Sequence, residues 1–302
     1  MLKSVLILLA LGAGLLLPAL EAYAFTLRPF LMLLLFFSFL NVRVGRHIFA
    51  WQQGAVAALL PLVGGAVYYL GQLYDEDLGI TLLLMGLAPT AVITPVLAEL
   101  MRRRVAYMVG AIIVTHAVFA LLVPLVLPKL LGVELSWQSL GTLVYTIGST
   151  VAGPLVVAQL LRWKGGRVLA GLRAAGPYAF VLFLSNIAVA AGSLSHYLRY
   201  ESNTPWTFVL VATVSIGLLM LVNFYVGSRI APAGHRVEGS LALGRKNTML
   251  SIWIALEYIN PLVVLGPMLY ILLQNVFVAG QIVVVERRDR RAGRLEAVPA
   301  ES

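Results

Sequence analysis

Two hydrophobic stretches carry residue types that hydrocarbon does not tolerate. One, LALGRKNTML, places Gly244, Arg245, Lys246 and Asn247 in succession; the other, APTAVITP, sets Pro89 and Pro95 around Thr90 and Thr94. A cationic side chain beside helix amino-terminal ends suits a carboxylate or sulfonate. The prolines would free carbonyls near Ala88 and Thr94, and the hydroxyls of Thr90 and Thr94 sit beside them. Two further polar residues stand in apolar runs: His116, which could pass a proton, and Asn275 in LLQNVF. Against proton coupling, a lone helical histidine more simply bonds a backbone carbonyl. The chain has no cysteine, so disulfides, iron–sulfur clusters and thiolate metal sites are excluded. With no paired carboxylates, nucleophile triad or phosphate loop, neither an enzyme nor a resident cofactor or metal is expected.

The elements that must hold these residues lie in a bilayer. Hydrophobic residues make up 60% of the 302 and charged residues only 12%, against a soluble norm of about a quarter charged. Ionisable residues cluster between apolar runs of roughly 17 to 25 residues, each long enough to span about 30 Å of hydrocarbon. Ten crossings are expected, beginning near Ser4, Phe25, Phe49, Leu78, Val105, Leu140, Tyr178, Trp206, Leu241 and Pro261. The fold class is therefore all-α. The interrupted runs are the fourth and the ninth, the same place in two sets of five, and an odd-numbered repeat inserts upside down relative to its partner. Residues 1–130 are read as one five-helix repeat, 131–286 as its inverted counterpart, and 287–302 as a basic tail.

Charge sets the expected orientation. Arg43 and Arg46, Arg102 to Arg104, Arg162 to Arg173, Arg229 to Arg236 and the tail from Arg287 to Arg294 follow even-numbered segments, while the opposite loops hold Glu21, Asp75, Glu76, Asp77, Glu134 and Glu201, with Arg28, Lys129 and Arg199 as their clear basic members. By the positive-inside rule both termini are cytoplasmic, in the inner membrane of a cell. The net charge of +9 then reports topology, and no nucleic-acid partner is expected. Segment one also suits a cleavable signal peptide, ending Ala22-Tyr23-Ala24. A retained helix is favoured because the repeat needs a partner for segment six.

Each interruption has a plainer reading. Segment four could be a proline kink re-satisfied by threonine back-bonding, but two prolines with threonines between them favour a true break. In segment nine, Arg245 and Lys246 could lie in a loop before a helix starting at Thr248. That would leave only about 11 apolar residues before Asn260-Pro261, too few to span, so a broken helix is expected here as well. Broken helices inside lipid survive only where they are buried in protein or line a cavity, and in secondary transporters they mark the binding site. Glu99 is read as pairing with Arg102 and Arg103 along its own helix, and Trp163 and Trp206 as interfacial anchors.

The ordered series APTAVITPV, GPLVV at Gly153–Val157, GRKNTML and PLVVLGPMLYILLQNVF resembles the bile acid:sodium symporter family over nearly the whole chain. The resemblance implies ten helices with the fourth and ninth unwound and crossing, a panel of helices one, two, six and seven, and a core of the rest. It also implies alternating access of organic anions coupled to sodium. Asn247 and Gly244 fall on the family's asparagine and glycine at the ninth-helix break, Asn275 on a polar position beside the substrate cavity, and Thr94 on a sodium-binding hydroxyl position. Pro95, Ala242 and Lys246 replace an asparagine, an acid and a glutamine of the sodium sites, and Met108 and Ile112 replace hydroxyl residues. A hard cation needs oxygen ligands, so sodium-independent transport is expected, driven by the substrate gradient or by protons. Thr90, Thr94, Lys246, Asn247, Asn275 and His116 form the expected substrate and ion site. The alternatives are a metalloid exporter of the arsenite type and a non-transporting membrane sensor or scaffold.

Overall fold

The computed structural model describes residues 2–40, 44–45, 48–130, 136–176, 178–201 and 203–291. Arg43, Arg46, Glu134 and Arg294, used above for orientation, lie outside them, as does the tail beyond 291. The described chain is all helix: α1 Leu2–Leu16, α2 Leu27–Leu40, α3 Trp51–Gln72, α4 Glu76–Leu87, α5 Thr94–Leu100, α6 Val105–Leu130, α7 Trp137–Lys164, α8 Gly166–Ala174, α9 Tyr178–His196, α10 Trp206–Ile230, α11 Arg236–Gly244, α12 Thr248–Tyr258 and α13 Leu265–Arg291. Among the described residues seven helical segments are long and apolar enough to cross a membrane, making this a multi-pass membrane protein. Three of the ten expected crossings are not among those seven. Helix α1 has 15 residues, and the fourth and ninth are each divided in two, as α4–α5 and α11–α12.

Local chemistry explains most boundaries. Asp75 caps α4 by accepting from the backbone N–H groups of Asp77 and Leu78, and Ser136 caps α7 through the Ser139 N–H. Pro61, Pro124, Pro128 and Pro154 sit inside helices without ending them, as protein-buried membrane helices tolerate. Pro95 behaves differently from the expectation. It lies in the first turn of α5, where its missing N–H would have had no helical partner, so it starts a helix rather than breaking one. The break itself runs from Ala88 to Ile93. Glu99 does not take Arg103; that guanidinium reaches Asp289 on α13 at 2.9 Å, tying the end of α5 to the far end of the chain. Trp51, Trp137, Trp163 and Trp206 are all largely exposed at or near helix ends, the placement interfacial tryptophans take.

Packing falls into two sets. In one, α1 lies on α9, and α2 on α7 and α9; in the other, α3 packs on α4 and α6, and α10 on α11 and α13. The sets meet along α6 and α7, and Arg28 at the start of α2 lies 5.2 Å from the Trp253 ring centroid on α12 while donating to Thr150 Oγ1 and the Thr146 carbonyl on α7.

Membrane helices lack a hydrophobic drive to associate, so close packing through small residues does the work. On the α3–α4 seam a Cβ at Gly71 would sit 2.7 Å from the Gly79 Cα, and Gly86 packs against Gly64. The α10–α11 seam repeats this with Gly227 against the backbone of Gly239 and Gly244 against the Phe224 ring. Gly227→Val is therefore expected to force the two backbones apart. Overpacking of this kind costs about 1–3 kcal/mol, to be read as a lower thermal midpoint of the detergent-purified protein. An unchanged midpoint would show that the seam can yield.

Candidate functional site

The two breaks meet in the middle of the protein. Backbone runs antiparallel to backbone there: the Ala91 N–H donates to the Arg245 carbonyl at 2.8 Å, and the Asn247 N–H to the Pro89 carbonyl at 2.7 Å, around the isolated pair Thr90 and Lys246. Residues 88–91 and 244–248 are all buried. Each strand of this short bridge then caps the other half's helix. The Thr90 hydroxyl donates to the Ala242 carbonyl in the last turn of α11 at 2.7 Å, and the Lys246 ammonium donates to the Gly86 carbonyl in the last turn of α4 at 3.1 Å. These are carbonyls that a terminating helix leaves without an intrahelical partner. The same sequence spacing separates Thr90 from Lys246 and Gly86 from Ala242, so one bonding scheme is used twice.

A second layer repeats the exchange. The Thr90 N–H donates to Thr115 Oγ1 on α6 at 3.0 Å, and the Lys246 N–H to Gln274 Oε1 on α13 at 3.2 Å. Thr115 and Gln274 were not among the expected site residues. They are the immediate neighbours of His116 and Asn275, and their signal in the sequence was the same one: a polar side chain in an apolar run.

His116 and Asn247 lock together. His116 Nδ1 lies 2.8 Å from the Ile112 carbonyl, so it carries the proton, and Nε2, 2.8 Å from Asn247 Nδ2, accepts from that amide. The other end of the amide, Oδ1, accepts from the Leu250 N–H and caps α12. Protonating Nε2 would set two donors against each other, and flipping the amide to relieve them would cost the cap. The histidine thus does bond a carbonyl, and its remaining nitrogen positions the ninth-segment break. Thr94 is buried but its hydroxyl bonds only the Ala91 carbonyl of its own turn. Of the expected six, Thr90, Lys246, Asn247 and His116 come together at the crossing, Asn275 reaches it through Arg245, and Thr94 stays within its own turn.

Arg245, absent from the expected set, carries the least satisfied polar group there. It is 3% exposed; Nη1 donates to Asn275 Oδ1 at 2.8 Å, whose Nδ2 in turn bonds the Ile271 carbonyl. Its Nε is buried without a partner. Tyr270 OH lies behind, on the Gly244 carbonyl at 2.8 Å. Neither Arg245 nor Lys246 forms an ion pair with a carboxylate among the described residues. The one acid of α11, Glu238, faces the other way: its Oε1 meets His235 Nδ1 at 3.3 Å and the Arg104 N–H at 3.4 Å. Among the described residues these two adjacent cations have no carboxylate partner; a charge buried at a bilayer centre costs about 2.5–3.5 kcal/mol on insertion scales.

The crossing is closed. A cavity of about 500 Å³ opens on α7 beside Tyr145, Gly148, Ala152 and Val156, and one of about 10 Å³ lies between α4 and α6; neither touches the breaks. Met108, Ile112 and Ala242, the apolar replacements in the expected sodium shell, are all buried. At Ala242 the backbone carbonyl enters the network, through Thr90. No protein-family model matches the chain, and a search of curated proteins finds no match either.

Proposed function

We propose that this chain is a secondary carrier of small organic anions in a cell inner membrane, working by alternating access without sodium. The observation that carries this reading is the buried crossing of two broken helices with two cations and, among the described residues, no carboxylate paired with them. Broken helices at bilayer depth are tolerated where they serve a site, and uncompensated positive charge there is relieved by an anion. The resemblance to the bile acid:sodium symporter family points the same way and supplies the substrate class.

Ten crossings with cytoplasmic termini follow if α1, α4–α5 and α11–α12 each cross. The reciprocal capping supports two inverted repeats, 1–130 and 131–286, because one set of bonds maps onto the other when 89–91 and 245–247 are exchanged. The packing supports the same division: α3 on α4 corresponds to α10 on α11, α1 on α9 to α7 on α2, and α3 on α6 to α10 on α13. Helices α1, α2, α7 and α9 would be the panel and the others the core that moves against it. Lys246 supports sodium independence, since its ammonium already occupies the negative end of the α4 dipole.

Proteoliposomes offered a panel of labelled carboxylates and sulfonates, with protein-free vesicles as control, test the reading. At least one anion should accumulate to its gradient, and equally when sodium is replaced by choline at fixed pH. An absence of flux for every anion would remove the carrier, and a strict sodium requirement would remove the role given to Lys246.

A further inference from the structure

The two neighbouring cations are not equivalent, and the difference assigns them separate tasks. Lys246 holds a helix end: one of its three ammonium donors lies 3.1 Å from the Gly86 carbonyl, and its backbone N–H is held by Gln274. Arg245 holds none. Of its five N–H donors, one reaches Asn275, and Nε, on the edge that an oxyanion would meet, is buried with nothing to bond. Leaving a charged donor buried and unpaired is among the costlier things a fold does. Asn275, the partner that holds the fork in place, is half-buried rather than buried, so the guanidinium lies one side chain from the accessible surface.

We propose that Arg245 is the anion receptor of this protein, binding one carboxylate or sulfonate by two of its oxygens through the guanidinium edge, with Asn275 as the residue that orients the fork. This rests on the carrier reading for its biological meaning but not for its test. Two parallel N–H···O bonds distinguish a carboxylate from a halide of the same charge, and a lysine at the same position would keep the charge without the fork. The receptor is therefore specific for oxyanions that accept two parallel bonds rather than for anions in general.

The natural absence of cysteine makes a direct measurement simple. Ala279→Cys in the reconstituted full chain places a single thiol one helical turn beyond Asn275 on α13, leaving Asn275 and Arg245 in place. Its modification by a sulfonatoethyl thiosulfonate is compared with that by a trimethylammonioethyl thiosulfonate, each rate normalised to a free thiol in solution. The anionic reagent should react at least tenfold faster, sodium benzoate should slow it, and benzamide and sodium chloride at equal concentration should not. Adding Arg245→Gln should remove both the preference and the protection. Adding Arg245→Lys, the variant to read if the glutamine protein does not fold, should keep the preference and lose most of the protection by benzoate. Equal rates for the two reagents, no reaction with either, or a preference that survives Arg245→Gln would each overturn the assignment. Anion preference in a protein that shows no uptake would remove the carrier and leave the receptor; uptake without anion preference would do the reverse.

Discussion

Lys246→Met should abolish uptake while leaving the protein as stable as before, or more so. The ammonium is 1% exposed and meets one carbonyl, with no carboxylate to offset its desolvation. Replacing buried ions with apolar side chains of similar volume is neutral or stabilising by about 1–4 kcal/mol in systems where it has been tried. The bond lost to the Gly86 carbonyl costs about 1–3 kcal/mol in return, so the two terms roughly cancel and the thermal midpoint should move little. Transport should not survive, because the carbonyl end of α4 would lose the cation that offsets its dipole at the crossing, although the backbone bridge between the two breaks would remain. A fall in uptake of at least a hundredfold is expected, corresponding to about 2.7 kcal/mol. Full uptake in the methionine variant would sink the idea that Lys246 acts as an internal counter-ion to the helix end.

Asn247→Ala should act in the opposite sense, costing stability first. Both ends of this amide are used: Nδ2 on His116 and Oδ1 on the α12 cap. Losing the cap costs about 1 kcal/mol, and leaving His116 Nε2 buried without a donor about 1–3 kcal/mol more. Removing His116 as well should return part of this, since replacing both partners of a buried bond is gentler than removing one. The double variant Asn247→Ala with His116→Leu should therefore be more stable than the sum of the singles by about 0.5–3 kcal/mol, measured by thermal denaturation in detergent. Strict additivity would mean the two side chains do not interact. Asn275→Ala, by contrast, removes a half-buried partner of Arg245 and should weaken uptake with a smaller change in midpoint. Asn247 thus holds the ninth-segment break, while Asn275 holds the guanidinium of Arg245 that is proposed above as the anion receptor.

The sequence by itself determined that this chain is a helical membrane protein, where its apolar runs lie, and that two of them are interrupted. Those features are local: hydropathy over about twenty residues, two prolines, and charges in an apolar run are visible without knowing what lies opposite. It also pointed to Thr90, Lys246 and Asn247, because polar groups in the middle of such runs need partners. Which partners they find was decided only by the tertiary structure. Hydrogen bonds between residues distant in the chain leave no local trace, so the reciprocal capping of Ala242 by Thr90 and of Gly86 by Lys246 could not be read beforehand. Nor could the roles of Thr115 and Gln274, or the turn of Thr94 back onto its own segment. The same holds for the division of labour between Arg245 and Lys246. Adjacent residues in a break point to different neighbours, and only the packing of α4 against one and α13 against the other leaves the guanidinium edge unfilled while the ammonium is bound.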